Sequence, residues 1–438
     1  MGKVIVVALL GVMPLLTWGE GVLIRNVVIF DGKNPQLITG NVLIEDNIIR
    51  KVSVEPISVN EEIEIIDGRG KFLMPGLIDA HWHAYLAANT MVDLLTAHAS
   101  YTQLRAGQEA GKTLLRGFTT IRDAGGPVFG LKRAIDEGTL PGPRIYPSGA
   151  IISETGGHGD FRMVYDIPQP FDCCGLTHTE KIGAALIADG VDAVTVAARN
   201  NLRLGASQIK LMAGGGVSSL YDQLEDVQYF EDELHAAVMA AEDAGTYVMV
   251  HVYVPEAIRR AIKAGVKSIE HGQLIDEPTM KLIAENGVWL SMQPFIGEGS
   301  NHYTTPDQQA KHELVVQGTD NAYRLAKKYG VKLAWGTDLL FSPANARNQN
   351  LNIVKMTRWF SNYEILKMIT YDNACLLALS GRRNPYLGKL GVIEAGALAD
   401  LIIVDGNALE DISLLAEPEK HLMLIMKNGK IYKNNLAN

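Results

Sequence analysis

Residues Leu77-Ile78-Asp79-Ala80-His81-Trp82-His83 form an apolar run that ends in two histidines separated by one residue. On a β-strand, side chains alternate between faces, so His81 and His83 point the same way. Two imidazoles on one face at a strand end can bind one transition-metal ion. Because a His-x-His pair also occurs as two ordinary polar residues at a strand edge, the metal interpretation depends on further ligands elsewhere.

The middle of the chain alternates between short apolar runs and helical patterns. Eight strand candidates occur in order, at residues 76–80, 118–122, 144–148, 208–212, 247–250, 267–269, 288–292 and 332–335. This alternation predicts an α/β fold with a parallel sheet, and eight units indicate a closed (β/α)8 TIM barrel. Active sites of such barrels lie at the carboxyl ends of the strands.

Both ends of the chain have a different pattern, of short strands and turns. Apolar runs flank the turn signal Asp46-Asn47 near the N-terminus and Asn428-Gly429 near the C-terminus. Neither end is long enough for a core of its own. We therefore predict one discontinuous β-sandwich domain from residues 20–75 and 385–438, attached to a barrel of residues 76–384.

The bulk composition narrows the functional classes. The chain has 438 residues, of which 47% are apolar, enough for a large core. Its net charge is −9 and it contains no basic cluster, which argues against a nucleic-acid partner. The three cysteines lack C-x-x-C spacing, which argues against a disulfide framework and a thiolate metal site.

The first residues have the pattern of a targeting segment. Lys3 precedes an apolar run at residues 4–18, and small residues precede Glu20. This pattern predicts a signal peptide at residues 1–19 and a periplasmic or secreted protein. The alternative is a buried N-terminal strand in a cytoplasmic protein. Neither this run nor any later one has the length of a stable membrane span.

Further candidate ligands occur at the other predicted strand ends. Lys210 lies within the fourth strand, where its apolar neighbours face the helices and leave it facing the barrel axis. A buried lysine must be neutralised, paired or modified, and the plain alternative is a salt bridge with a buried acid. His251, His271 and Asp338 end the fifth, sixth and eighth strands. Six such residues at one end of a barrel indicate a functional site.

This set resembles the amidohydrolase superfamily over nearly the whole chain after residue 20. Residues 75–83, PGLIDAHWH, look like its metal-binding opening, and residues 391–401, GVIEAGALADL, look like its C-terminal signature. The resemblance implies two divalent metal ions, usually zinc, bridged by an N-carboxylated lysine. The implied ligands are His81, His83 and Asp338 for the first ion, His251 and His271 for the second, and Lys210 as the bridge.

Elementary chemistry agrees with this assignment. A lysine cation repels a metal ion, whereas its carbamate offers one oxygen to each of two ions. Two ions that share a hydroxide lower its pKa and create a nucleophile at neutral pH. Asp338 would accept the proton of the attacking hydroxide and pass it to the leaving amine.

Within the superfamily the chain resembles the imidazolonepropionase-related branch, which includes Xaa-Pro dipeptidases, other metal-dependent carboxypeptidases and ochratoxin-type amide hydrolases. The resemblance rests on residues 153–160, 210–217 and 251–253. In that branch a histidine and a tyrosine hold the free carboxylate of the substrate, which implies this role for His158 and Tyr253. The plain alternatives are a loop-stabilising hydrogen bond for His158 and packing at the barrel rim for Tyr253.

The resemblance implies a binuclear hydrolase that cleaves the amide bond of small substrates with a free carboxylate. Such substrates are dipeptides such as Xaa-Pro, or N-acyl amino acids including ochratoxin-like amides. A cyclic-amide hydrolase or deaminase is the first alternative, although many family deaminases lack a lysine equivalent to Lys210. A catalytically inactive structural relative is the second alternative. We expect a homo-oligomer that acts on a small-molecule amide or dipeptide and has no nucleic-acid partner.

Overall fold

A computed structural model describes residues 21–167, 175–297, 303 and 305–436. The predicted signal peptide and its cleavage point before Glu20 lie outside these residues, so that prediction stays open. No helix in the described ranges is long and apolar enough to cross a lipid bilayer.

The strands and helices are numbered in chain order within the described ranges. The strands are β1 (Gly21–Ile29), β2 (Ile38–Glu45), β3 (Ile48–Ser53), β4 (Glu64–Asp67), β5 (Phe72–Pro75), β6 (Leu77–Trp82), β7 (Phe118–Asp123), β8 (Arg144–Pro147), β9 (Ile151–Ser153), β10 (Ala185–Ile187), β11 (Ile209–Met212), β12 (Val248–Val252), β13 (Ser268–His271), β14 (Trp289–Met292), β15 (Lys332–Trp335), β16 (Leu401–Val404), β17 (Leu422–Lys427) and β18 (Lys430–Asn434). The α-helices are α1 (Met91–Thr96), α2 (Ala99–Leu115), α3 (Phe129–Asp136), α4 (His178–Lys181), α5 (Val191–Leu204), α6 (Glu231–Ala244), α7 (Pro255–Ala264), α8 (Glu277–Glu285), α9 (Pro306–Tyr329), α10 (Pro343–Ala346), α11 (Leu351–Lys355), α12 (Asn362–Lys367), α13 (Asn373–Leu377) and α14 (Pro418–His421).

Two parallel sheets occupy the middle of the chain. One has the order β6-β7-β8, and the other has the order β10-β9-β11-β12-β13-β14-β15. The eight predicted strands overlap β6, β7, β8 and β11 to β15, so their existence and order are confirmed. The amide of Asp338, just after β15, donates to the carbonyl of His81 in β6 at 2.8 Å. This contact joins the last strand to the first, and the arrangement is consistent with a barrel.

A third sheet combines both ends of the chain. Its order is β18-β17-β16-β5-β1-β2-β3, and β4 pairs with β1. The two predicted hairpin turns are confirmed, and both contain a residue with left-handed backbone: Asp46 has φ 56° and Asn428 has φ 55°. Asn and Asp tolerate that conformation better than other side chains. The assignment of this sheet to a separate β-sandwich domain, with the boundaries given above, stays a prediction.

Buried contacts fix the terminal sheet against the strands that carry the site. Arg144 at the start of β8 donates to both oxygens of Asp400, at 2.6 and 3.1 Å. The amide of Gly76 donates to the carbonyl of the same Asp400 at 3.0 Å, directly before β6 begins. Leu77 is fully buried in the same apolar cluster as Phe72. The first strand of the site is therefore anchored at its amino end.

Candidate active site

A cavity of about 750 Å³ lies at the carboxyl ends of the parallel strands. Its wall includes all eight residues predicted from the sequence to form the site: His81, His83, His158, Lys210, His251, Tyr253, His271 and Asp338. Six of them are on or next to strand ends, and Lys210 is the second residue of β11. The structure therefore brings together residues that are up to 257 positions apart in the sequence.

Three of these residues form a compact cluster of possible metal ligands. One ligand atom from each of His81, His83 and Asp338 lies within 4.8 Å of the others. Asp338 Oδ1 is 3.3 Å from Nε2 of His81 and 3.2 Å from Nε2 of His83. Burial by itself would raise the pKa of Asp338, but the two histidines outweigh it and hold the pKa well below its usual range. Asp338 is therefore ionised.

The hydrogen bonds of the two imidazoles show which ring nitrogens remain for a metal ion. Nδ1 of His83 lies 2.9 Å from the carbonyl oxygen of Gly125, which can only accept a hydrogen bond. Nδ1 of His81 lies 2.7 Å from the carboxylate of Glu270. In the neutral rings both Nδ1 atoms therefore carry the proton, and both Nε2 lone pairs face Asp338. The Nε2 of His81 is buried without a hydrogen-bond partner.

This donor set fits a divalent cation. Two imidazole lone pairs and a carboxylate oxygen repel one another unless a proton or a metal ion lies between them. Histidine nitrogen and aspartate oxygen are common ligands of zinc and related ions. A metal-binding histidine usually donates its other N–H to a carboxylate or a backbone carbonyl, as His81 and His83 do here.

Glu270 lies beneath His81 in a buried ionic network. Its Oε2 accepts from Nδ1 of His81 and from the Arg122 guanidinium, each at 2.7 Å. Burial alone would raise the pKa of Glu270, but Arg122 and His81 outweigh it and hold the pKa well below its usual range. Arg122 also donates to the carbonyl of Ala80 at 2.5 Å. The network fixes both the ring orientation and the tautomer of His81.

The remaining two histidines lie next to the first cluster. The ring centroids of His251 and His271 are 4.4 Å apart, and those of His81 and His271 are 4.9 Å apart. Nε2 of His251 lies 3.1 Å from the carbonyl oxygen of Gly215, to which it can only donate. The Nδ1 lone pair of His251 is therefore the one left for a metal ion. Burial lowers the pKa of His271 to about 3, and burial is also the main cause that holds the pKa of His251 well below its usual range. Both rings are therefore neutral at neutral pH and can act as ligands.

Lys210 is 1% exposed and faces the cavity from β11. It forms no ion pair with a carboxylate of the described residues, which argues against the salt bridge that was the plain alternative. Burial is the main cause that lowers the pKa of Lys210, to about 8. A carbamate forms from the neutral amine and carbon dioxide, so this lower pKa favours the modification.

Left-handed backbone turns two of the candidate ligands into the cavity. His271 has φ 79° and Asp338 has φ 52°. Glu270 and His271 are neighbours in β13 and would face opposite sides of a regular strand. The left-handed φ of His271 breaks this alternation, so both reach the interior. Such backbone in residues with side chains costs of order 1–3 kcal/mol and is concentrated at functional sites.

Asp79 and Gly336 hold the end of β6 against the end of β15. Asp79 accepts from the Thr337 hydroxyl at 2.6 Å and from the His81 amide at 3.1 Å. A Cβ at Gly336 would lie 2.5 Å from the backbone nitrogen and from Cβ of His81. Only glycine allows this approach, which places Asp338 beside the His81–His83 pair.

His158 and Tyr253 border the second pair of histidines. The ring of His158 stacks on His251 with centroids 4.1 Å apart, and the ring of Tyr253 lies 5.1 Å from both His251 and His271. Nδ1 of His158 lies 2.9 Å from the hydroxyl of Ser219. Its Nε2 is the ring nitrogen left for a ligand.

Sequence reasoning missed several residues that shape the site. Asp222 lies 3.5 Å from Nδ1 of His158 and accepts from the amide of Gly216 at 2.7 Å. A Cβ at Gly216 would lie 2.0 Å from the His158 ring, so glycine makes room for that ring. His312 and Tyr303 also line the cavity, with ring centroids 5.1 Å apart. A helical residue such as His312 carried no signal that separates it from core packing.

Comparison with known proteins decides the family. The model of the amidohydrolase family matches residues 72–433. The chain belongs to the amidohydrolase family. It is 33% identical to ochratoxinase of Aspergillus niger over 380 residues, which are 82% of this chain and 75% of that protein. As an amidohydrolase it is an enzyme that hydrolyses its substrate, and the resemblance inferred from the sequence is confirmed.

Two crystal structures share the fold over nearly the full length. One is described as an amidohydrolase, is 38% identical with a TM-score of 0.86, and matches 95% of this chain and 99% of that chain. The other is a prolidase in complex with N-methylphosphonate-L-proline, 34% identical with a TM-score of 0.86, matching 95% of this chain and all of the other.

Proposed function

We propose that this amidohydrolase cleaves the amide bond of small substrates that carry a free carboxylate on the amine side of that bond. The observation that carries the proposal is one cavity in which the His81–His83–Asp338 cluster lies beside His158 and Tyr253. The relationship to an ochratoxinase and to a prolidase that binds a proline derivative supports the same substrate class.

The proposal includes two divalent ions, zinc by chemical preference, and N-carboxylation of Lys210. The ligands would be those assigned from the resemblance. Four buried imidazoles, one ionised aspartate and a lysine that forms no ion pair with the described carboxylates support this assignment. The ions would supply an activated nucleophile at neutral pH and polarise the scissile carbonyl.

The residues of the chain have separate tasks in this proposal. Asp338 is ionised and 16% exposed, so it can accept a proton from water in the cavity and deliver it to the leaving amine. Glu270 and Arg122 hold His81 in one orientation. His158 and the Tyr253 hydroxyl donate charge-assisted hydrogen bonds to the substrate carboxylate.

The same geometry gives an argument against each of the two alternative functions or a way to test it. A catalytically inactive relative would have no need for strained backbone at His271 and Asp338. A cyclic-amide hydrolase or deaminase does not require a carboxylate clamp, so the preference for a free carboxylate separates it from the proposed activity.

The test compares matched substrates that end in a carboxylic acid or in the corresponding amide. We expect the zinc-loaded enzyme to cleave dipeptides or N-acyl amino acids and to reject their C-terminal amides. A hydrogen bond to a charged group contributes about 1.5–3 kcal/mol, so Tyr253→Phe should lower kcat/KM for the acid by about tenfold to a hundredfold. The kcat/KM for the amide substrate should fall less, so the ratio of kcat/KM for acid to kcat/KM for amide should also fall.

Tyr323→Phe is the matched control, because Tyr323 is buried and its hydroxyl contacts Met356 rather than the cavity. This control should leave the acid-to-amide ratio unchanged. Equal kcat/KM for acid and amide in the wild-type enzyme would refute the carboxylate clamp and favour a general or cyclic-amide hydrolase.

A further inference from the structure

The cavity wall contains an apolar region that the carboxylate clamp and the metal ligands do not use. Three consecutive apolar residues, Leu339, Leu340 and Phe341, directly follow Asp338. They pack in one cluster with Met91 of α1 and with Phe161, and all five line the cavity. Tyr253 packs in a different cluster. The apolar region and the clamp are therefore separate parts of the wall, and Asp338 adjoins the apolar one.

The fold holds the apolar region in place at a conformational cost. Phe341 has φ 55°, which is unfavourable for a bulky side chain. Its amide donates to the carbonyl of Leu86 at 2.9 Å, and its ring meets Phe161 edge-on with centroids 5.9 Å apart. Strained backbone of this kind is concentrated at ligand-binding sites. A rigid aromatic surface therefore stands beside the candidate metal ligands.

The charges of the described cavity wall disfavour one kind of substrate. Among the described residues that line the cavity, the acidic side chains are Asp160 and Asp338. Asp160 already accepts from the Arg162 guanidinium at 2.5 and 2.8 Å and from the Gly156 amide at 2.8 Å. Asp338 lies among the candidate metal ligands. A dipeptide would bring an α-ammonium group here, and the described residues of this wall offer no free carboxylate to pair with it.

We propose that the preferred substrates are N-acyl amino acids whose acyl group is bulky, apolar and free of an ammonium group. This inference rests on the proposed function and narrows it. The acyl group packs against Leu339, Leu340 and Phe341, while the carboxylate reaches His158 and Tyr253. Water adds to the acyl carbon and the C–N bond breaks. The products are an apolar carboxylic acid and a free amino acid that takes up the proton.

The decisive substrates differ only in the ammonium group. The 3-phenylpropanoyl and L-phenylalanyl derivatives of one amino acid share the same ring, the same scissile amide and the same leaving group. We would measure kcat/KM for both with zinc-loaded enzyme, across the twenty leaving amino acids. For the best leaving amino acid, kcat/KM should be at least about thirtyfold higher for the 3-phenylpropanoyl substrate. The ammonium group of the L-phenylalanyl substrate must lose its hydration without gaining a carboxylate partner.

The dependence of kcat/KM on the size of the acyl group gives a second measurement. Each buried methylene adds roughly fourfold to affinity, so hexanoyl and 3-phenylpropanoyl derivatives should exceed the acetyl derivative by more than tenfold in kcat/KM. Phe341→Ala should lower the ratio of 3-phenylpropanoyl to acetyl by about tenfold. Phe230→Ala is the matched control, because Phe230 is 74% exposed and lies outside the cavity wall. This control should leave the ratio unchanged.

A substitution that adds a negative charge to the same wall should give a gain of function. Asn345 lines the cavity after Phe341, and its Oδ1 accepts from Asn348 at 2.9 Å, a bond that a carboxylate would keep. Asn345→Asp should raise the relative kcat/KM of the L-phenylalanyl substrate. Equal or better cleavage of the L-phenylalanyl substrate by the wild type would overturn the inference and leave the proposed function intact. Cleavage of neither acid-ended series would overturn both.

Discussion

Replacing Glu270 with glutamine tests whether the buried network controls the metal ligands. Glu270 is fully buried, and its Oε2 accepts from both His81 and Arg122 at 2.7 Å. Its Oε1 accepts from the Ser268 hydroxyl at 2.5 Å. A glutamine has the same shape, but it has no charge and one of its two terminal atoms becomes a donor. It therefore cannot accept from all three donors as glutamate does, and it has no charge to balance Arg122.

Two magnitudes follow from these contacts. Loss of the partner that orients a metal-binding histidine typically weakens metal affinity by about tenfold to a hundredfold. Removing one member of a buried ion pair typically costs about 3–5 kcal/mol, because the Arg122 charge stays buried without its counter-charge. Glu270→Gln should therefore weaken zinc binding and lower the free energy of unfolding of the metal-free protein.

The assay combines zinc titration against a chromophoric chelator with urea denaturation of the metal-free protein. Glu277→Gln is the matched control, because Glu277 pairs with Lys328 on the surface, where both side chains are about half exposed. Such pairs contribute about 0–1 kcal/mol. The double variant Arg122→Met with Glu270→Gln should be less destabilised than the sum of its single variants. Normal zinc affinity in Glu270→Gln, or strictly additive effects, would refute the reasoning.

Two further predictions concern Lys210 and the N-terminus. Carbamate forms from the neutral amine, and burial lowers the pKa of Lys210 to about 8. The rate at which zinc reactivates the metal-free enzyme, at constant dissolved carbon dioxide, should therefore rise about tenfold per pH unit below pH 8 and level off above it. A rate that still rises beyond pH 10 would indicate an ordinary lysine. N-terminal sequencing of the protein from its native host should find Glu20 first in an exported protein, and an intact Met1 in the cytosol would contradict the signal-peptide proposal.

The sequence predicts the strands of the barrel region well because apolar runs alternate with helical patterns there. Once that order is known, the rule that active sites lie at strand ends brings His81, His251 and Asp338 to one place before any coordinates exist. The strands β9 and β10 were not predicted as separate elements. Each has three residues, which is too short for a periodic pattern to distinguish it from a loop.

Contacts between distant positions were harder to predict. Arg122 and Glu270 are 148 positions apart, and no local pattern connects them. A usable signal did exist, because a charged residue within a predicted barrel strand must have a buried partner. The left-handed backbone of Phe341 had no sequence signal, since a bulky side chain disfavours it. Histidine is enriched in that conformation but adopts it in only a minority of cases, so His271 gave at most a weak signal. The apolar residues after Asp338 lie in a loop, where no periodic pattern indicates which way each side chain points.

The zinc content of Lys210→Ala tests the proposed two-metal site most directly. Lys427→Ala is the control, because Lys427 is also buried, its pKa is also lowered to about 8 mainly by burial, and it lies outside the cavity wall. We expect two zinc ions per chain in the wild type and in Lys427→Ala. Lys210→Ala should hold at most one, with activity lost and partly restored by a short carboxylic acid that replaces the carbamate oxygens. Two tightly bound zinc ions and normal turnover in Lys210→Ala would contradict the proposal.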